Sequence, residues 1–151
     1  MGTLKEKMSN PTVHESVLQD CVRVLDDEVS KKSGFTGLAI KTAYKLLKGV
    51  QHGKALRKVL EALLPDFMNA LEPYYARFQQ EGKGKGWTEF LRPDYERIAD
   101  QFLAVTDAKS QQSDSQTVKS TYGKLRPKAR KEVVASLPAL AAMMEKYVDR
   151  T

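Results

Sequence analysis

Residues 34–64, GFTGLAIKTAYKLLKGVQHGKALRKVLEALL, constrain this chain more than any other stretch, because their apolar residues recur only at helical spacing. Leu56, Val59, Leu60, Leu63 and Leu64 stand at i, i+3, i+4, i+7 and i+8, one face of a helix that cannot be read as a strand. Before them, Ala39, Ile40, Ala43, Leu46, Leu47 and Val50 fall on one arc of a helix over about residues 38–50, and Lys41, Lys45 and Lys48 on the opposite one. The sequence Gly49-Val50-Gln51-His52-Gly53 separates the two as a turn.

The same period continues along the chain. Helix formers dominate the apolar set, with 16 Leu and 14 Ala against 2 Ile. An N-terminal helix is expected from Asn10-Pro11-Thr12, with Asn10 capping and Pro11 in first position, or with Thr12 capping and Glu15 completing a capping box. It carries Val17, Cys21, Val24 and Leu25 inward, and ends in Asp26, Asp27 and Glu28, which read as a solvated acidic cluster. Thr36 is a candidate cap and Phe35 a candidate staple for the next helix. Phe67, Met68, Leu71, Tyr74, Tyr75 and Phe78 form an aromatic-rich stripe, which reads as core. Prolines 65, 73, 93, 127 and 138 punctuate the helical pattern, and each is expected to start, kink or end a helix. Tyr95, Ile98, Ala99, Phe102 and Leu103, then Val133, Val134 and Leu137, then Leu140, Ala141, Met144 and Val148 continue the inward set. Met143, Met144 and Tyr147 are candidates for an adaptable contact surface as well as for core. The expected architecture is all-α, a compact bundle of about six to eight short, proline-punctuated helices. Residues 10–151 form one domain, residues 1–9 a disordered tail, and flexible connectors fall near 82–86 and 109–117.

Charge is unevenly placed. The net +6 is concentrated between residues 30 and 60, where eight Lys or Arg meet no Asp or Glu, and again between residues 110 and 131. Lys41, Lys45, Lys48, Lys54, Lys58 and Arg130 are therefore the candidate anion-binding residues, on a basic face drawn from residues 31–58 and 119–131. A zinc finger, an RRM signature and a basic region with heptads are all missing, so charge alone supports nucleic acid as a partner.

Catalytic and metal signatures are missing too. The chain has no HExxH, no GxSxG and no phosphate-binding glycine loop. His14 and Cys21, seven apart, are two isolated donors and make no metal site. No cofactor is expected. The single cysteine suits a reducing compartment, and with no apolar run of spanning length the expected location is the cytoplasm.

The segments SKKSGFTGLAIKTAYKLLKGV, EALLPDFMNALEPYY, FLAVTDAKS and YGKLRP resemble a family of small, all-helical bacterial proteins of uncharacterised function, over about residues 12–149. That resemblance implies a cytoplasmic helical domain and carries no functional residues. The expected function is a non-enzymatic interaction module that binds a protein or itself. Binding of nucleic acid or another anionic surface is the alternative, and an enzyme whose site assembles only in space is the third reading.

Overall fold

The computed structural model describes residues 3–32, 34–82 and 84–148, apart from the side chains of Phe35 and Thr36, so the expected cap and staple lie outside the described residues. The chain is 92% helical with no strand among those residues. In order, the helices are α1 (Leu4–Ser9), α2 (Pro11–Ser30), α3 (Gly34–Gly49), α4 (Lys54–Glu81), α5 (Trp87–Leu91), α6 (Tyr95–Gln112) and α7 (Gln116–Val148). Five of these, α2, α3, α4, α6 and α7, are long, fewer and longer than the six to eight short helices expected, and α1 and α5 are short pieces of six and five residues.

Proline is the reason for the difference. α4 runs 28 residues through Pro65 and Pro73, and α7 runs 33 residues, about 50 Å, through Pro127 and Pro138. An interior proline costs roughly 3 kcal/mol by removing an N–H and crowding the preceding turn. In α4 the buried face Leu64, Met68, Leu71, Tyr74 and Tyr75 straddles both prolines, and burying it on one continuous helix outweighs that cost. In α7 the same holds around Pro138, with Leu137, Ala141, Met144, Tyr147 and Val148 all inward.

Helix ends follow local chemistry. Asn10 Oδ1 accepts from the Thr12 amide at 3.0 Å and Pro11 takes the first helical position. Thr12 is no cap, since its own hydroxyl donates to Asn10 Oδ1. The segment expected as a disordered tail is helical in α1, with Thr3 as its cap. The Glu72 carboxylate on α4 accepts from the Leu4 amide at 2.8 Å, and Leu4 and Met8 are fully buried. The polar stretch 109–117 shortens to residues 113–115, because Ser113 and Ser115 hydroxyls accept from the Ser115 and Val118 amides.

The core gathers α1, α2, α4, α5, α6 and α7 around Trp87, Met68, Leu71, Ile98 and Met144. Met144 and Tyr147 are buried and Met143 packs partly against them, so this trio fills the core and offers no contact surface. Leu60, at the middle of the 56–64 stripe, is only half-buried, while Leu56 and Leu64 are the buried members.

The α3–α4 connection is a 3-10 turn, Val50–Gly53, in which Gln51 (φ 51°), His52 (φ 57°) and Gly53 (φ 90°) are successively left-handed. That conformation suits glycine and costs an ordinary residue about 1–2 kcal/mol. Gln51→Gly should therefore raise the unfolding free energy by about 0.5–1 kcal/mol, the gain trimmed by glycine's extra freedom in the unfolded chain. A chemical denaturation curve measures it.

Candidate functional site

α3 has two unlike halves. Its inner side rests on α2, α4 and α7 and carries the half-buried Ile40, Ala43, Tyr44 and Leu47. The Tyr44 hydroxyl donates to Asp26 Oδ1 on α2 at 2.6 Å, and Lys48 Nζ meets the same oxygen at 2.8 Å. The Lys48 ammonium and the Tyr44 hydroxyl hold the Asp26 carboxyl below the usual carboxylate range. At the other end Gly37 lies against the Lys32 backbone, where a Cβ would sit 2.7 Å from the Lys32 carbonyl carbon. The acidic cluster at the end of α2 is thus a docking point for α3 instead of a solvated face, and Glu28 within it is buried beside Lys31.

The outer side of α3 is exposed and two-toned. Leu38 is 64% and Leu46 68% exposed, with Val50 next to them in the turn at 47%. At about 100° per residue, Lys41 and Lys45 project within about 60° of Leu38, on the flank away from Leu46. Leu46 and Val50, expected on the buried arc, instead face solvent, because α3 touches the bundle over a narrow strip and its apolar arc is wider than that strip.

The six candidate anion-binding residues are divided by the fold. Lys48 is engaged by Asp26, and Arg130 by Asp100 at 2.7 Å and Glu96 at 3.7 Å. Arg57, between Lys54 and Lys58, is drawn to Glu15 on α2 and to Glu61. Lys41, Lys45, Lys54 and Lys58 remain, exposed and in no ion pair among the described residues. Lys32, in the first basic segment, is paired with Glu132 on α7 at 2.6 Å, just past the end of the second.

Other features fall outside any catalytic arrangement. Burial, and then the charge of Asp20, push the Cys21 thiol up to about 11, so it is protonated and unreactive at neutral pH. His14 Nδ1 is buried on the same helix without a hydrogen-bond partner. Among the described residues no three His, Cys, Asp or Glu converge as metal ligands, and no helix is long and apolar enough to cross a membrane. An open groove of about 360 Å³ between α4 and α6 is lined by Asp66, Ala104, Val105, Ala108, Lys109 and Gln112, with Lys109 and Asp66 paired at 3.4 Å. The core holds a void of about 10 Å³, no larger than one water.

Two polar clusters escape a reading of sequence alone. Asp20, buried on α2, accepts from the Tyr147 hydroxyl at 2.5 Å and meets Lys146 at 2.6 Å and Arg23 at 3.1 Å. Asp107 on α6 accepts from Tyr122 and from Arg126 at 2.8 Å, both on α7. The one sequence signal is an aspartate at position 20 inside the apolar period Val17, Cys21, Val24.

This geometry defines a class, an all-α bundle whose polar clusters clamp helices together and whose least buried long helix is α3. Residues 4–148 match the family of unknown function DUF6918, and the chain belongs to that family. No curated protein and no solved structure matches it.

Proposed function

We propose that this protein is a non-catalytic helical interaction module whose partner docks on the outer side of α3. The observation that carries the reading is the exposure of Leu38 and Leu46 on one helix, at 64% and 68%. Burying a leucine fully is worth roughly 1.5–3 kcal/mol, and here most of that stabilisation is left unused by the fold. Single exposed apolar residues are ordinary, but two leucines and Val50 along one helix side form a strip. Lys41 and Lys45 on the same side of α3, in no ion pair among the described residues, specify an anionic partner, which is also what the nucleic-acid reading requires. A cytoplasmic location goes with this reading, since Cys21 has no cysteine to pair with.

A photo-crosslinking residue placed at position 46 in living cells tests it. The expected result is discrete protein or lipid adducts from position 46 and none from position 89, an exposed site on α5. Equal labelling from both positions would overturn the reading.

A further inference from the structure

We infer that the outer side of α3 seats on an anionic lipid surface, with Leu38, Leu46 and Val50 entering the headgroup region and Lys41 and Lys45 lying among the phosphates. The inference rests on the docking reading above and names its partner. Three observations lead to it.

The first is shape. The strip lies on the convex outer side of a helix and not in a groove, and Leu38 and Leu46 are separated by eight residues, about 12 Å along the axis. A convex strip is satisfied by a plane that yields to it. α3 is held to the bundle by Asp26 at one end and by the Gly37–Lys32 approach at the other, so its long axis lies on the surface of the domain.

The second is residue type. The described outward positions of α3 are Gly34, Leu38, Ala39, Lys41, Thr42, Lys45, Leu46, Lys48 and Gly49. They include no Arg or aromatic side chain, the types that anchor protein interfaces. Lysine with leucine supplies charge and apolar surface without directional recognition, which is the pairing that holds a helix in a bilayer interface. Lysine also spans both regions, its methylene stem lying along the apolar boundary with the ammonium in water.

The third is charge. Lys41, Lys45, Lys54 and Lys58 form no ion pair among the described residues, whereas Lys48, Arg57 and Arg130 do. A second copy of the chain on the same strip would bring Lys41 and Lys45 of each molecule against those of the other, so self-association there is opposed. Nucleic acid answers the lysines but leaves the leucines in water. An acidic bilayer answers both.

Vesicle flotation with the full chain decides it, using about 30% phosphatidylglycerol in phosphatidylcholine against phosphatidylcholine alone. The protein is expected to float only with the anionic vesicles at about 50 mM salt and to be released at about 500 mM. Replacing Lys41 and Lys45 together by Gln should lower the partition coefficient about 25-fold, roughly fivefold per lysine. Leu46→Asn should lower it about tenfold while leaving the helical spectrum and melting temperature unchanged, because the side chain is already in solvent. Replacing Lys124 and Lys128 by Gln makes the same charge change on another helix, α7, and should have little effect.

Failure to float with anionic vesicles at low salt overturns the inference. So does an equal loss from the α7 pair, or a partition that ignores Leu46→Asn, since either reduces the interaction to net charge. Retention of a short DNA duplex without vesicle binding would assign the lysines to nucleic acid and overturn it as well. If vesicle binding fails while position 46 still crosslinks to protein in cells, the lipid partner is wrong and the docking side of α3 stands.

Discussion

Trp87→Ala should lower the unfolding free energy by about 3–5 kcal/mol, a large share of the stability of a domain this size. Trp87 opens α5 after the glycine-rich connector and is completely buried. Its ring meets Tyr75 edge-on at 6.1 Å and Phe78 at 5.4 Å, so one side chain joins α5 to two turns of α4. α5 has only five residues and no helical stability of its own. Its first turn is fixed by Glu145 on α7, whose Oε1 accepts from the Thr88 amide at 3.2 Å and hydroxyl at 2.9 Å. Removing the indole leaves a cavity at the junction of α4, α5 and α7, and a five-residue helix cannot close it. Trp87→Phe should cost clearly less, because it keeps ring contacts and removes an indole N–H that has no hydrogen-bond partner. Urea denaturation of the two variants separates the cavity from the lost polar group.

Asp20→Ala should cost about 2–4 kcal/mol and also change how stability responds to acid. The carboxylate joins the middle of α2 to the end of α7 through Tyr147 and Lys146, with Arg23 on its own helix also in reach. Truncation removes the carboxylate that accepts from the buried Tyr147 hydroxyl, while the half-exposed Lys146 ammonium can rehydrate, which keeps the loss below that of a fully buried pair. Burial pushes the Asp20 pKa up, but the hydrogen bonds from Lys146 and Tyr147 more than offset it, and the net shift is downward. A group whose folded pKa is depressed adds stability that is fully present above its unfolded value and lost as pH falls through the folded one. Asp20 therefore stabilises fully above its ordinary value of 3.8, and the contribution fades below it. Glu15, Asp26, Asp100 and Asp107 shift the same way through Arg57, Lys48, Arg130 and Arg126. Stability should fall through the acid range for the whole protein, and Asp20→Asn should fall less steeply between about pH 4 and pH 2. Thermal melts across that range check the slope, and a slope identical to that of the parent would remove Asp20 from the account.

The 3.6-residue period made the helices and most of the core legible. Leu71, Tyr74 and Tyr75, then Ile98, Ala99 and Phe102, then Leu137, Ala141 and Met144 are inward as their spacing requires. Helix count was not legible, because a proline carries a local cost and only packing on both sides of it tells whether that cost is met. The buried faces around Pro65 and Pro73 meet it in α4. α1 is the same case in reverse. A short segment has no stable helix of its own, and Glu72, which is 68 residues away, accepts from its Leu4 amide once α4 is in place.

The candidate site divides along the same line. By itself, the sequence determined that this chain is all helical, that its positive charge gathers between residues 30 and 60, and that a lysine ridge and an apolar arc share the helix now called α3. These are properties of composition and of periodicity within one element, and both are local. The tertiary structure alone decided which lysines are spent on carboxylates and which are in no ion pair among the described residues. It also decided that Leu46 faces water and that Asp26 and Asp20 are clamps. Each of those depends on which residues from distant parts of the chain arrive within about 3 Å, a distance at which a charge is paired or left to solvent.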